Sequence, residues 1–148
     1  MIASNSTTYD TAAIDGIAML VKPRGAPELP IHVKWLSGRS PYGRYVYGKH
    51  RSILLWMPRH FPRVVDHGDT PGYIGDVVCQ DWRQFVIYIL AHEHRHAWQD
   101  QSGRWPEQFD PTIEIEALNR NPEEWEAQDA ELEHDADKFA LAMLARYG

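Results

Sequence analysis

The sequence predicts an α+β fold: a leading helix and a small, mostly antiparallel sheet packed on two long helices that carry the chemistry. Three observations predict it. Apolar residues recur at helical spacing near the start, three short runs of strand-forming residues follow, and beyond residue 80 the pattern returns to a helical period. The 148 residues suit one domain spanning 1–148.

The elements follow in order. Behind Asp10 as a cap, Ile14, Ile17, Ala18 and Val21 share one face of a helix over Thr11–Val21. The cluster Lys22-Pro23-Arg24-Gly25-Ala26-Pro27 breaks it. Strands are expected at 31–36, 44–47 and 52–57, the last two joined as a hairpin through Gly48-Lys49-His50-Arg51. Residues 58–75, rich in Pro, Gly and Asp, read as a long surface excursion of the kind that often carries function. Asp81 with Gln84 three residues on resembles a capping box opening a helix over Trp82–Gln101, which Gly103 stops. A connector over 104–120 follows. Asn121 as a cap, Pro122 at the first helical position and Glu123 and Glu124 in the first turn then open a helix that runs to Tyr147.

Composition removes several function classes. Apolar residues make up 43% and charged residues 24%, too apolar for a disordered chain. The net charge of −6, with no basic run, argues against nucleic acid as a partner. A lone cysteine, Cys79, excludes an internal disulfide and fits a reducing compartment. The apolar stretch at 85–90 is far too short to span a membrane. The opening residues have neither a basic nor an apolar segment of a signal peptide, so a cytoplasmic location is expected.

Histidine is the informative residue, because three of the eight fall within five positions: His92-Glu93-His94-Arg95-His96. Residues four apart on a helix lie one turn above one another, about 40° apart in rotation. His92 and His96 therefore aim at a shared point, and neutral imidazole is a preferred zinc ligand. Glu93 sits roughly 100° further round, beside such a metal, where it can take a proton from a water. His94, about 200° from His92, points elsewhere.

Catalytic zinc uses three protein ligands, so one is still missing. Glu126, Asp129, Glu131, Glu133, His134, Asp135 and Asp137 are candidates on the last helix. Its apolar stripe runs through Leu132, Ala136, Phe139, Ala140, Met143 and Leu144, and this side must meet the core. Glu133 borders the stripe, and the small Ala136 and Ala140 allow close helix approach. Glu133 is therefore the expected third ligand of one Zn²⁺ per chain, and Asp137, one turn on, the expected partner of a ligand histidine. His134 is the rival ligand, since some zinc sites use three histidines. Glu126, Glu131 and Asp135 are expected to be solvated.

At these residues the chain resembles the gluzincin metallopeptidases. His92-Glu93-His94-Arg95-His96 matches their first motif, and Glu133-His134-Asp135-Ala136-Asp137-Lys138-Phe139-Ala140 resembles the E-x-x-A-[DN]-x-F-A segment of HtpX-like and CAAX prenyl proteases and, more loosely, of ImmA/IrrE-type proteins. The size is that of a minigluzincin. The resemblance covers the last two helices and none of the first half. It implies Glu133 as third zinc ligand, a supporting acid at Asp137, and a sheet edge that holds an extended peptide by strand addition, at 52–57 or near 73–79. No counterpart of the family's oxyanion-stabilising group can be assigned, Tyr73, His67 and Tyr147 being the candidates.

The expected function is zinc-dependent hydrolysis of a peptide or protein substrate, with Glu93 as general base. The alternative is a zinc-binding regulatory or interaction module with weak, latent or no peptidase activity, the excursion at 58–75 covering the cleft. The intact Glu93 counts against a purely structural site, which would use four protein ligands. Of the other residues, the six tryptophans are expected mostly in the core, Cys79 buried, and His32 facing solvent. His50, His60 and His67 lie in loops.

Overall fold

The computed structural model describes residues 11–35, 42–104 and 122–148, with the side chains of 122–125 left aside. The elements are α1 (Thr11–Val21), β1 (Ile31–Trp35), β2 (Gly43–Val46), β3 (Ser52–Met57), β4 (Val64–Val65), β5 (Val77–Val78), α2 (Trp82–Gln101) and α3 (Pro122–Tyr147). The fold is α+β, as expected. The three helices and β3 begin or end within a residue of their predicted bounds, while the hairpin strand β2 sits one residue earlier than expected. The predicted cap Asn121 and most of the connector lie outside the described residues.

β3 is the most apolar strand and takes the centre of a three-stranded sheet, in the order β1-β3-β2. It pairs with β2 in antiparallel register, Tyr45 opposite Ile53, across the predicted hairpin. Its other edge takes β1 in parallel, Val33 opposite Leu55. β4 and β5 form a separate antiparallel pair, β4 inside the excursion that reads from sequence as loop and β5 within the 73–79 segment where a short strand is one of two expectations. Two-residue strands leave no periodicity to find.

α2 is the centre of the molecule. From Phe85 to His94 it is buried on every side, with α1, α3 and the sheet packed around it. A helix enclosed in this way belongs in a core, yet this one carries His92, Glu93, His94, His96 and Gln99. Burying such groups is costly unless each is partnered. Its start is fixed by Asp81, whose carboxylate accepts the Gln84 backbone N–H at 2.9 Å, while Gln84 Oε1 accepts from Gln80 N–H rather than from the cap residue itself.

The sheet meets α2 through Gly43. A Cβ there would lie 2.5 Å from Ile89 Cγ2 and 3.0 Å from Glu93 Cγ, so the absent side chain is what lets β2 seat on the helix. Gly43→Ala is expected to destabilise the protein by about 1–3 kcal/mol through overpacking, read as a lowered urea midpoint. An unchanged midpoint would mean that β2 is not seated so closely.

Cys79 is fully buried and His32 exposed, as expected. The tryptophans differ from expectation. Trp35 is 55% exposed, Trp56, Trp82 and Trp98 are half-buried, and none of the described ones is enclosed. The core is filled by aliphatic residues with Tyr45, Phe85 and Tyr88, and Trp82 packs against it from outside. Among the described residues no helix is long and apolar enough to cross a membrane.

Candidate metal centre

Three predicted ligands meet where α2 packs on α3. His92 and His96, one turn apart, direct their Nε2 atoms to within 3.2 Å of each other. Glu133 spans both, Oε2 lying 3.0 Å from His92 Nε2 and Oε1 2.9 Å from His96 Nε2. Ala136 and Ala140, both fully buried, permit this close helix approach. Side-chain exposures of 4% for His92 and 18% for Glu133 leave the site open only on the carboxylate side.

The donor set fits a divalent cation. Tetrahedral coordination at zinc–nitrogen distances of 2.0–2.1 Å spaces neighbouring ligand atoms about 3.3–3.4 Å apart, the scale of the contacts seen here. Three lone-pair donors this close need a proton or a cation between them. The group His92, His96 and Glu133 could hold a metal ion, and it is the one such group among the described residues.

Asp137 stands behind His92. It is fully buried, and its Oδ1 lies 3.7 Å from His92 Nδ1, the one buried side-chain polar atom among the described residues without a hydrogen bond. The carboxylate is itself held by the Ile74 backbone N–H at 2.7 Å and by the Tyr88 hydroxyl. Tyr88 in turn accepts from His67, whose Nε2 is 2.7 Å away. Burial alone would raise the Asp137 pKa, but His92, Tyr88 and the Ile74 amide hold it below the usual carboxylate range. Glu133 is likewise held low against burial by its two histidines.

His92 carries the opposite shift. Burial would lower its pKa, yet Asp137 and Glu133 raise it to about 10. Below that pH the metal-free site retains a proton that an incoming cation must expel. Metal uptake at pH 7 is therefore expected to release about one proton, with affinity falling as pH falls. Calorimetry in two buffers of different ionisation enthalpy measures this, and a buffer-independent heat would show His92 to be neutral beforehand.

Glu93 sits where its sequence position puts it, beside the ligands and not among them. Its Oε1 accepts the Tyr45 backbone N–H at 2.7 Å, and its charge is felt by both His92 and Tyr73. Tyr45 is pinned a second time, its hydroxyl donating to Asp100, which Arg51 also holds at 3.0 Å. β2, an edge strand, thus lies against the catalytic candidate. Of the two segments expected there, β3 is paired on both sides and has no free edge, whereas β5, within 73–79, is paired only to β4.

The excursion at 58–75 reaches the site. Gly72 has φ of 97° and lies so close to α3 that a Cβ would be 2.4 Å from the Ala130 carbonyl. This contact carries Tyr73 over the ligands, where its ring stacks on His67 at 3.9 Å and, at 5.3 Å and 2°, on His92. Burial raises the Tyr73 pKa, and the Glu133 charge and hydrogen bond raise it further. Of the three candidates for an oxyanion-stabilising group, Tyr73 and His67 are therefore at the site. Tyr147 is not, its carbonyl accepting from Arg83 near the start of α2.

The remaining candidates separate by face. Glu126, Asp129, Glu131 and His134 are exposed. Asp135 keeps a side chain 41% exposed, as expected of a solvated acid, but Arg95 also clamps it through two hydrogen bonds of 2.7 and 3.1 Å and Gln99 donates to it at 2.9 Å. His94 turns inward against α1, its Nδ1 2.8 Å from the Leu90 carbonyl, and burial lowers its pKa. Sequence reasoning missed Tyr88 and Gln99. The one available signal was their spacing from the ligands, Tyr88 four residues before His92 and Gln99 three after His96.

Comparison with protein-family models, with curated proteins and with solved structures finds no match to this chain.

Proposed function

We propose that this protein is a zinc-dependent peptidase of the gluzincin type, with His92, His96 and Glu133 as metal ligands and Glu93 as general base. One observation carries the reading. A two-histidine, one-carboxylate cluster, the donor set of known catalytic zinc sites, stands beside a buried fourth residue, Glu93, whose orientation an edge strand fixes. Zinc bound there supplies Lewis acidity toward a carbonyl and toward water. Glu93, with one oxygen held by Tyr45 N–H, keeps the other for the proton it takes from the attacking water and returns to the leaving amine. Asp137, itself fixed by Tyr88, places its charge 3.7 Å behind His92 Nδ1. The outward edge of β2, on which Gly43 and Tyr45 lie, would guide an extended peptide past Glu93.

The test is digestion of a proteome-derived peptide library by the zinc-loaded protein, read by mass spectrometry. Cleavage that a chelator abolishes and zinc restores supports the reading, and no cleavage by a zinc-loaded, folded protein overturns it in favour of a zinc-binding module. Tyr73 favours one variant of that second reading, a latent enzyme, because its ring stacks over His92 and the Glu133 charge acts on it. Cleavage that begins only after nicking at residues 66–75 would distinguish latency.

A further inference from the structure

The two histidines of the centre are backed by different chemistry. His92 turns Nδ1 toward a carboxylate, Asp137. His96 turns Nδ1 toward an amide, with Gln99 Oε1 at 2.8 Å. Gln99 is 0% exposed, so each of its polar atoms needs a partner inside the protein. Its Nε2 lies 2.9 Å from the Leu132 carbonyl and 2.9 Å from Asp135 Oδ2.

These partners determine which way the amide faces. A backbone carbonyl and an ionised carboxylate only accept hydrogen bonds, so the NH₂ end of Gln99 must point at them and the oxygen end at His96. An amide oxygen also only accepts. His96 Nδ1 must therefore carry a proton, so Nε2 is the nitrogen that can offer a lone pair to a cation in the space shared with His92 and Glu133.

We infer that Gln99 is a positioning residue that holds His96 in its metal-binding tautomer, and that Asp135 and Arg95 lock Gln99 in turn; this rests on the reading of His92, His96 and Glu133 as a metal centre. The lock joins the two helices that supply the ligands. Gln99 follows His96 by three residues on α2, and its acceptors Leu132 and Asp135 flank Glu133 on α3. One amide thus orients a ligand of α2 and ties it to the helix carrying the third ligand. Outside it, the Arg95 guanidinium grips both Asp135 oxygens and lies 3.9 Å from the Trp98 ring and 5.2 Å from that of Phe139. A planar cation seated between aromatic faces is stiff, and that stiffness passes to Asp135 and on to the amide.

Cobalt(II) binding under chelator competition tests the proposal, comparing the full chain with Gln99→Met and Asp135→Ala and checking each fold by circular dichroism. Gln99→Met keeps length and volume but removes both ends of the amide, and it is expected to weaken cobalt binding about 10–100-fold. Asp135→Ala leaves the Leu132 contact and is expected to weaken it less, in the same direction. In the zinc-loaded wild type, nitrogen-15 spectra of labelled histidine are expected to show a slowly exchanging Nδ1 proton on His96. Unchanged affinity in a folded Gln99→Met overturns the proposal. If that variant does not fold, unchanged affinity in Asp135→Ala does so, as does a His96 that coordinates through Nδ1. Failure of the wild type to bind cobalt overturns the metal centre itself and this inference with it, whereas binding without peptide cleavage overturns only the peptidase reading.

Discussion

Glu133→Ala is expected to abolish stable metal binding. Purified wild type dialysed against zinc should carry about one equivalent per chain, and the variant should lose it to a weak chelator, both read by metal analysis. The loss should exceed the 10–100-fold that removal of an outer partner costs, since a direct ligand disappears. The geometry explains why no neighbour replaces it. His134 is exposed, and Asp137 is already engaged by Tyr88 and the Ile74 amide on the far side of the His92 ring. Removing the carboxylate also leaves two imidazole nitrogens 3.2 Å apart with no anion between them. Zinc retained at full stoichiometry would move the third ligand to Asp137 and dissolve the resemblance carried by Glu133.

Glu93→Gln should separate binding from chemistry. The variant is expected to keep its zinc, because Glu93 lies outside the ligand group, and to keep its fold, because an amide oxygen can still accept the Tyr45 N–H. An amide cannot take a proton from water, so library cleavage should fall by about 10²–10⁴-fold, the range for losing a general base. Loss of zinc alongside activity would make Glu93 a structural member of the site. Undiminished cleavage would place the base elsewhere.

Much of the site was legible in the sequence because its first part is local. His92, Glu93 and His96 are set by the pitch of one helix, and the cap at Asp81 and the uninterrupted run to Gln101 show that the helix is there. Glu133 was legible for a related reason, since the apolar stripe of α3 says which side meets the core and Glu133 borders it. The outlying parts were not legible. That Asp135 is clamped as well as solvated depends on Arg95 and Gln99 of another helix, forty and thirty-six residues away. That β2 and not β3 lies beside Glu93 depends on which strand the sheet places at its edge.

The division follows the range of the forces. Helical pitch, capping and the face on which apolar residues fall act within a few residues, and they alone yield α1, α2, α3, the histidine pair and the glutamate that joins it. Contacts across the chain decide the rest: Tyr45 N–H on Glu93, Tyr88 between His67 and Asp137, Tyr73 stacked on His92, and Gln99 between His96 and α3. Apart from the Tyr73 stack, each satisfies a polar group that burial of α2 would otherwise strand. Spacing marks Tyr88 and Gln99 only as neighbours of the ligands, because the need for a partner arises only once the helix is enclosed.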